Sequence, residues 1–230
     1  MKRPARLLWR LLHGFSTACF VTGGILLAWP VFHTAVSDYA AGRVQTEALA
    51  GWDRQTGPDT GPDRRAAGRD MVLEIPRLSL RRLVPDGATV QHLKRYGVGH
   101  ISWTAFPSTN LGAIASHVQA PSAGLAAGSG AMGEDHTRII GIAGHRTTYG
   151  APFFRIGELA RGDPIVLLYA GRRYVYRVDR LATTRPSDSD VLDGDSDEIA
   201  LVTCTPPLSA AFRLIVFGRL ESITASVETR

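Results

Sequence analysis

Three residues of this chain have the types and neighbours needed to cut an amide bond. Cys204 ends the apolar run Ile199-Ala-Leu-Val-Thr-Cys204, and nine residues later Arg213 opens a second run, Leu214-Ile-Val-Phe217. His145 follows Ile139-Ile-Gly-Ile142 in the stretch Ala143-Gly-His-Arg146. A thiol becomes a nucleophile when a base or a positive charge lies beside it. If Cys204 ends one strand and Arg213 begins its antiparallel partner, the two face each other across the loop 205–212, which Pro206 and Pro207 stiffen. A guanidinium there holds a carbonyl oxygen while negative charge builds on it. His145, at the end of its own strand, takes and returns a proton. Thiol attack on an amide then gives a thioacyl-enzyme, which an amine or water resolves. Taken singly, each residue has a bland reading. A buried cysteine is usually a small hydrophobe, a histidine beside glycine a turn residue, and an arginine at a strand start a surface charge.

The compartment favours the chemical reading. Leu11 to Ser37 contains no Lys, Arg, Asp or Glu, and 15–36 is long enough to cross a bilayer core of ~30 Å. Lys2, Arg3, Arg6 and Arg10 precede it, so the N-terminus is expected in the cytoplasm and the remainder outside. A cleaved signal peptide would have a shorter apolar region and a small-x-small site after it. Cys19 lies within the span, so it cannot pair with Cys204, and an exported domain with one unpaired cysteine points to a reactive thiol. Of the formal net charge of +5, those four N-terminal cations supply four. The basic balance therefore argues for membrane orientation and gives no support to nucleic-acid binding.

The elements that must position the three residues are mainly strands. Residues 1–14 form a basic tail, 15–36 the transmembrane anchor, and 37–70 a flexible stalk rich in Gly and Pro, with a short helix possible over 39–49. The folded domain is expected over 71–222, with 223–230 as a tail. Its first strand is Val72–Ile75, and Ile165–Tyr169 with Tyr174–Val178 reads as a hairpin about Gly171. Short helices are expected at 89–96 and 153–159. No period of 20 to 50 residues recurs. Many short strands with few helices predict a β-barrel or sandwich. Residues 112–136, rich in Ala and Gly, are expected to be a mobile loop.

The stretches Ala143-Gly-His-Arg-Thr-Thr-Tyr-Gly-Ala-Pro-Phe153, Leu-Val-Thr-Cys204-Thr-Pro and Phe-Arg213-Leu-Ile-Val216 resemble a sortase. Thr-Cys-Thr-Pro and the histidine stretch are most similar to the class E, actinobacterial type. The resemblance covers about 71–222 plus the anchor and stalk. It implies an eight-stranded sortase-type β-barrel with short helices behind one N-terminal transmembrane helix. It makes Cys204, His145 and Arg213 catalytic, with their motif neighbours Thr203, Thr205 and Tyr149 as candidate substrate-binding residues. Such Gram-positive enzymes cut a Leu-(Pro or Ala)-x-Thr-Gly sorting signal between Thr and Gly. They join the Thr to an amine of the cell-wall precursor lipid II or to a pilin lysine. The implied partners are secreted proteins with C-terminal sorting signals, the lipid II amine and the membrane, without nucleic acid. Relative to the family, 112–136 is an insertion between Val-Gly-His100 and His145. The stalk has no Asp-Pro-aromatic lid and no C-terminal span follows, which argues against the pilin-building class C.

No cofactor and no metal are expected. The acidic residues of 188–198 could take calcium through hard oxygen ligands, but their spacing fails the EF-hand pattern and a solvated loop is the simpler reading. His117, Glu134, Asp135 and His136 lie in glycine-rich chain with nothing to aim them at a metal. His13 and His33 flank the span, while His92 and His100 have no partner visible in the sequence. Two other functions compete with the transpeptidase. One is a barrel that binds sorting signals without catalysis, which the presence of all three residues disfavours. The other is a secreted cysteine hydrolase, which usually orients its histidine with an Asn or Asp. A pilin-polymerising or accessory sortase remains a variant within the family.

Overall fold

The computed structural model describes residues 3–56, 69–107, 139–193 and 197–225. The 112–136 insertion, with His117 and His136, lies outside the described residues. After the helix α1 (Arg3–Thr56) come β1 (Met71–Ile75), β2 (Leu80–Val84), the helix α2 (Val90–Tyr96), β3 (Val98–His100) and β4 (Ile140–Gly144). The chain continues through β5 (Pro164–Tyr169), β6 (Arg172–Thr184), β7 (Glu198–Thr205) and β8 (Phe212–Ala225). The strands form one eight-stranded sheet in the order β2-β1-β5-β6-β8-β7-β4-β3. The ends approach where Asp86, just past β2, bridges His100 of β3 and the Pro85 carbonyl accepts from the His100 amide. The sheet is thus a nearly closed barrel. All its pairings are antiparallel except β4 with β7.

The core follows the two-residue period of the strands. Met71, Leu73 and Ile75 of β1, Ile165 and Leu167 of β5, Tyr174, Tyr176 and Val178 of β6, Ile199 and Leu201 of β7 and Val216 of β8 fill the barrel. A smaller cluster forms on the outer face of β7 and β8, where Ala200, Ile215 and Phe217 pack with Ile139 and Leu192. Leu192 belongs to a 3-10 turn, Ser189–Leu192, in the connection between β6 and β7. That connection therefore lies over the outer face of the sheet.

Two boundaries differ from expectation. The stalk expected over 37–70 is helical through Thr56, because α1 continues beyond the apolar segment and docks on the domain. The exposed apolar side chains from Phe15 to Val36 include Phe20, Ile25, Leu26, Trp29 and Phe32. α1 is long and apolar enough to cross a bilayer. Beyond Val36 a different stripe appears. Asp38, Ala41, Gln45, Ala48 and Trp52 recur at helical spacing and are at least partly buried. At the other end, β8 runs to Ala225 because Ile223, Thr224 and Ala225 pair with Tyr174, Arg173 and Arg172. The helix expected over 89–96 is α2, capped by the Thr89 hydroxyl accepting from the His92 amide. Only Ile156–Glu158 of 153–159 is helical, as a 3-10 turn.

Candidate active site

Three adjacent strands bring Cys204, His145 and Arg213 together at one end of the sheet. Cys204 of β7 pairs directly with Arg213 of β8. On the other flank, β4 runs parallel to β7 with Ile142 beside Leu201 and Ala143 beside Val202. Extending this register by two residues, past the end of β4, puts His145 level with Cys204. Alternation fixes the face. Ile142 and Leu201 point into the barrel, so Ala143, His145, Val202 and Cys204 project from the outside. The pairs Ala200–Phe217, Val202–Ile215 and Cys204–Arg213 form one column on that face. Its far end is covered by Leu192 and Val191, and its near end carries the thiol and the guanidinium.

Close backbone packing locks this end. The Thr203 hydroxyl donates to the Gly144 carbonyl at 2.8 Å, and Arg146 Nη1 donates to the Cys204 carbonyl at 3.4 Å. Both bonds tie the end of β4 to the end of β7. The His145 amide donates to the Gly97 carbonyl and its own carbonyl accepts from the Phe153 amide. Phe153 is fully buried, and a Cβ on Gly144 would lie 2.5 Å from its ring. Glycine is required there by space alone. The loop 145–153 turns back sharply, with Tyr149, Gly150 and Ala151 at positive φ.

The His145 ring is half-buried, and this desolvation lowers its pKa from the ordinary imidazole value. Its Nδ1 lies 3.4 Å from the Thr148 hydroxyl, while Nε2 is buried and has no hydrogen-bond partner among the described residues. A buried ring nitrogen left unpaired costs free energy, and such groups persist at sites of chemistry. A neutral imidazole held this way is a proton acceptor waiting for a donor. Arg213 Nη1 donates to the carbonyls of Ala210 and Phe212. The guanidinium is thereby braced against its own loop, with donors in reserve for a ligand.

The other candidate residues divide. The Tyr149 ring stacks at 4.9 Å from the His145 ring, and Thr205 is half-buried beyond the thiol. Thr203 is 2 % exposed and its hydroxyl is committed to Gly144, so it holds the two strands together and does not face the groove. Two carboxylates of the 188–198 segment have local partners. Asp188 accepts from the Thr184 hydroxyl and the Arg185 amide, and Glu198 pairs with Arg180 and Arg219. No three His, Cys, Asp or Glu side chains are grouped to hold a metal ion among the described residues. His100, unassigned from sequence, is a buried strut between Asp86 and the Ala105 carbonyl. Sequence reasoning left Arg146 without a role, although its place directly after His145 was a signal. A cleft of about 200 Å³ lies on the other flank of the 145–153 loop, between Leu80, Arg82, Gly150 and Phe154. It is lined by none of the three residues.

Comparison with known proteins agrees with this geometry. Residues 115–221 match the model of the sortase domain. Sortase SrtE1 of Streptomyces coelicolor is 38% identical over 100 residues, which cover 39% of this chain and 28% of that protein. Sortase D of Bacillus subtilis is 26% identical over 167 residues, covering 70% of this chain and 66% of that protein. The matched stretches thus span from about a quarter to two thirds of these relatives. The crystal structure of sortase E1 from Streptomyces coelicolor, with a tripeptide in its active site, superposes with a TM-score of 0.54 at 28% identity. That match covers 69% of this chain and 91% of the other. Sortases are cysteine transpeptidases, and the order histidine just past β4, cysteine on β7 and arginine on β8 agrees with the likeness: residues 115–221 of this chain are similar to a sortase domain, and the chain resembles the E-type sortases.

Proposed function

We propose that this protein is a membrane-anchored cysteine transpeptidase that attaches secreted proteins to the cell wall. Cys204 attacks the carbonyl between Thr and Gly of a Leu-(Pro or Ala)-x-Thr-Gly signal. Arg213 holds the oxygen on which charge builds, and His145 Nε2 takes the thiol proton and delivers it to the leaving amine. The thioacyl-enzyme is then opened by an amine of the cell-wall precursor lipid II, with His145 accepting that amine's proton. Tyr149, whose ring lies beside the His145 ring, flanks the peptide. No cofactor enters. The 15–36 segment crosses the membrane with the basic tail inside, which leaves the catalytic domain on the outer surface.

The observation that carries this reading is the buried Nε2 of His145, without a partner among the described residues, at the end of the strand that pairs with the cysteine strand. The test uses the full chain in detergent micelles with fluorogenic sorting peptides carrying Pro or Ala at the second position, with and without an added amine. Cleavage with transfer to the amine supports the proposal. Cleavage without transfer makes the protein a hydrolase, and binding without cleavage makes it a binding module. Cys204→Ala should abolish turnover with the fold intact, and a thioacyl adduct trapped on any other residue would overturn the assignment.

A further inference from the structure

We infer that α1 is part of the catalytic apparatus, with Asp38 and Gln45 as positioning residues for the loop that carries His145. The inference rests on the transpeptidase reading for its kinetic arm and on geometry alone for its structural arm. Asp38 Oδ1 accepts a hydrogen bond of 2.8 Å from the Gly150 amide, in the middle of the 145–153 loop. One turn further, Ala41 is 4 % exposed and its Cβ lies 3.9 Å from where a side chain on Gly150 would begin. The loop is thus seated on the helix at Gly150, whose positive φ of 79° favours glycine at this turn.

Gln45 makes the second link. It is 3 % exposed, and its Nε2 donates to the carbonyls of Leu83 and Tyr96 at 3.0 and 2.6 Å. Its Oε1 accepts from the Leu83 amide at 2.9 Å. Tyr96 ends α2, and the next residue, Gly97, supplies the carbonyl that binds the His145 amide. One amide side chain therefore joins α1, β2 and the end of α2 at the point where the histidine is held. Buried amides with this many partners fix one arrangement, because every alternative leaves carbonyls unpaired. Asp38 and Gln45 are seven residues apart, two turns along the same face.

The placement has a consequence for the membrane. Asp38 comes two residues after the exposed apolar belt ends at Val36, a rise of about 3 Å along a helix. The His145 loop is therefore held beside the bilayer surface by the same rigid rod that crosses it.

The experiment compares Asp38→Ala, Asp38→Asn, Gln45→Glu and, as a control, Asp53→Ala in the full chain in micelles. Asp53 binds Arg81 through both carboxylate oxygens at the far end of α1 and touches neither link. Asp38→Ala and Gln45→Glu are expected to lower kcat about tenfold with KM within twofold, and to change the pH profile of kcat. Asp38→Asn keeps an acceptor and should restore most of kcat, and Asp53→Ala should leave it unchanged. Hydrogen exchange of the loop amides, Gly150 above all, should accelerate at least tenfold in Asp38→Ala. This arm needs no substrate, so it stands even if the wild type fails to cleave sorting peptides. Unchanged exchange at Gly150 in Asp38→Ala would overturn the inference. So would an Asp38→Asn variant as slow as Asp38→Ala, or a loss in Asp53→Ala equal to theirs.

Discussion

Replacing Gly144 with alanine probes how tightly the end of β4 is held. A Cβ there would lie 2.5, 2.7 and 2.9 Å from three atoms of the Phe153 ring. Real Cβ contacts do not approach so closely, so either the ring or the strand must move by about 1 Å. The ring is fully buried and belongs to the main core cluster, which leaves it little room. Overpacking of this kind costs typically 1–3 kcal/mol, and three clashes against a rigid ring argue for about 2. For a domain of this size that is a fall in Tm of about 4–8 °C. The larger effect should fall on catalysis. Phe153 and His145 are joined by a backbone hydrogen bond, so the movement passes directly to the histidine. A misplacement near 1 Å can cost about 10²-fold in rate. The assay is thermal unfolding beside steady-state cleavage of a sorting peptide, repeated with Phe153→Leu and with the double variant. The smaller side chain should recover part of both losses, since contacting residues couple by about 0.5–3 kcal/mol. If Gly144→Ala melts within 1 °C of wild type and cleaves at the same rate, the strut formed by Phe153 does not exist.

Arg213→Lys should lower kcat by about 10²-fold although the charge is kept, since an ammonium cannot brace on Ala210 and Phe212 and still present a planar fork; retention of most of kcat would make Arg213 a mere electrostatic neighbour. His145 has its pKa lowered by burial, so the unfolded chain takes up a proton before the folded one as pH falls. The stability gained by keeping it neutral is complete above about pH 6.5 and is lost as pH drops toward the lower folded value. Wild type should therefore lose Tm more steeply than His145→Asn between pH 7.5 and 5.5, and parallel curves would refute this. Thr203→Val should lower Tm by a few degrees through the lost bond to Gly144, at about 1 kcal/mol, with KM unchanged. A raised KM at constant Tm would return Thr203 to the substrate groove.

The hairpin of Cys204 and Arg213 was legible because both strands are β-branched runs whose separation admits a single short loop. Their direct pairing follows from that loop alone. The neighbour relation of His145 and Cys204 was not legible in the same way. It depends on a parallel pairing between strands 59 residues apart, and nothing local in either strand records its partner. The resemblance to sortases supplied that link. The docked part of α1 was read as a stalk for a physical reason. Its inward face is made of Asp38, Ala41, Gln45, Ala48 and Trp52, mostly small or polar residues that give only a weak hydrophobic period. The face is held by hydrogen bonds to backbone, which leave no trace in a hydropathy pattern. Thr203 was a reasonable substrate contact by proximity to the thiol. Alternation along β7 puts consecutive residues on opposite faces, and that turned it inward.

The parallel pair decides where this protein can grow. The long chain between Pro107 and Ile139 rejoins the sheet at the start of β4, and the histidine follows at its finish, about 16 Å away at the rise of a strand. Length added there enters at the opposite pole from the chemistry. The segment between β6 and β7 is different, because it leaves from Thr184, level with Arg213, and must travel back over the outer face to reach Glu198. Variation in that crossing reshapes the outer face whose near end carries the thiol and the guanidinium. Relatives that differ in which peptides they accept should therefore diverge over 185–193.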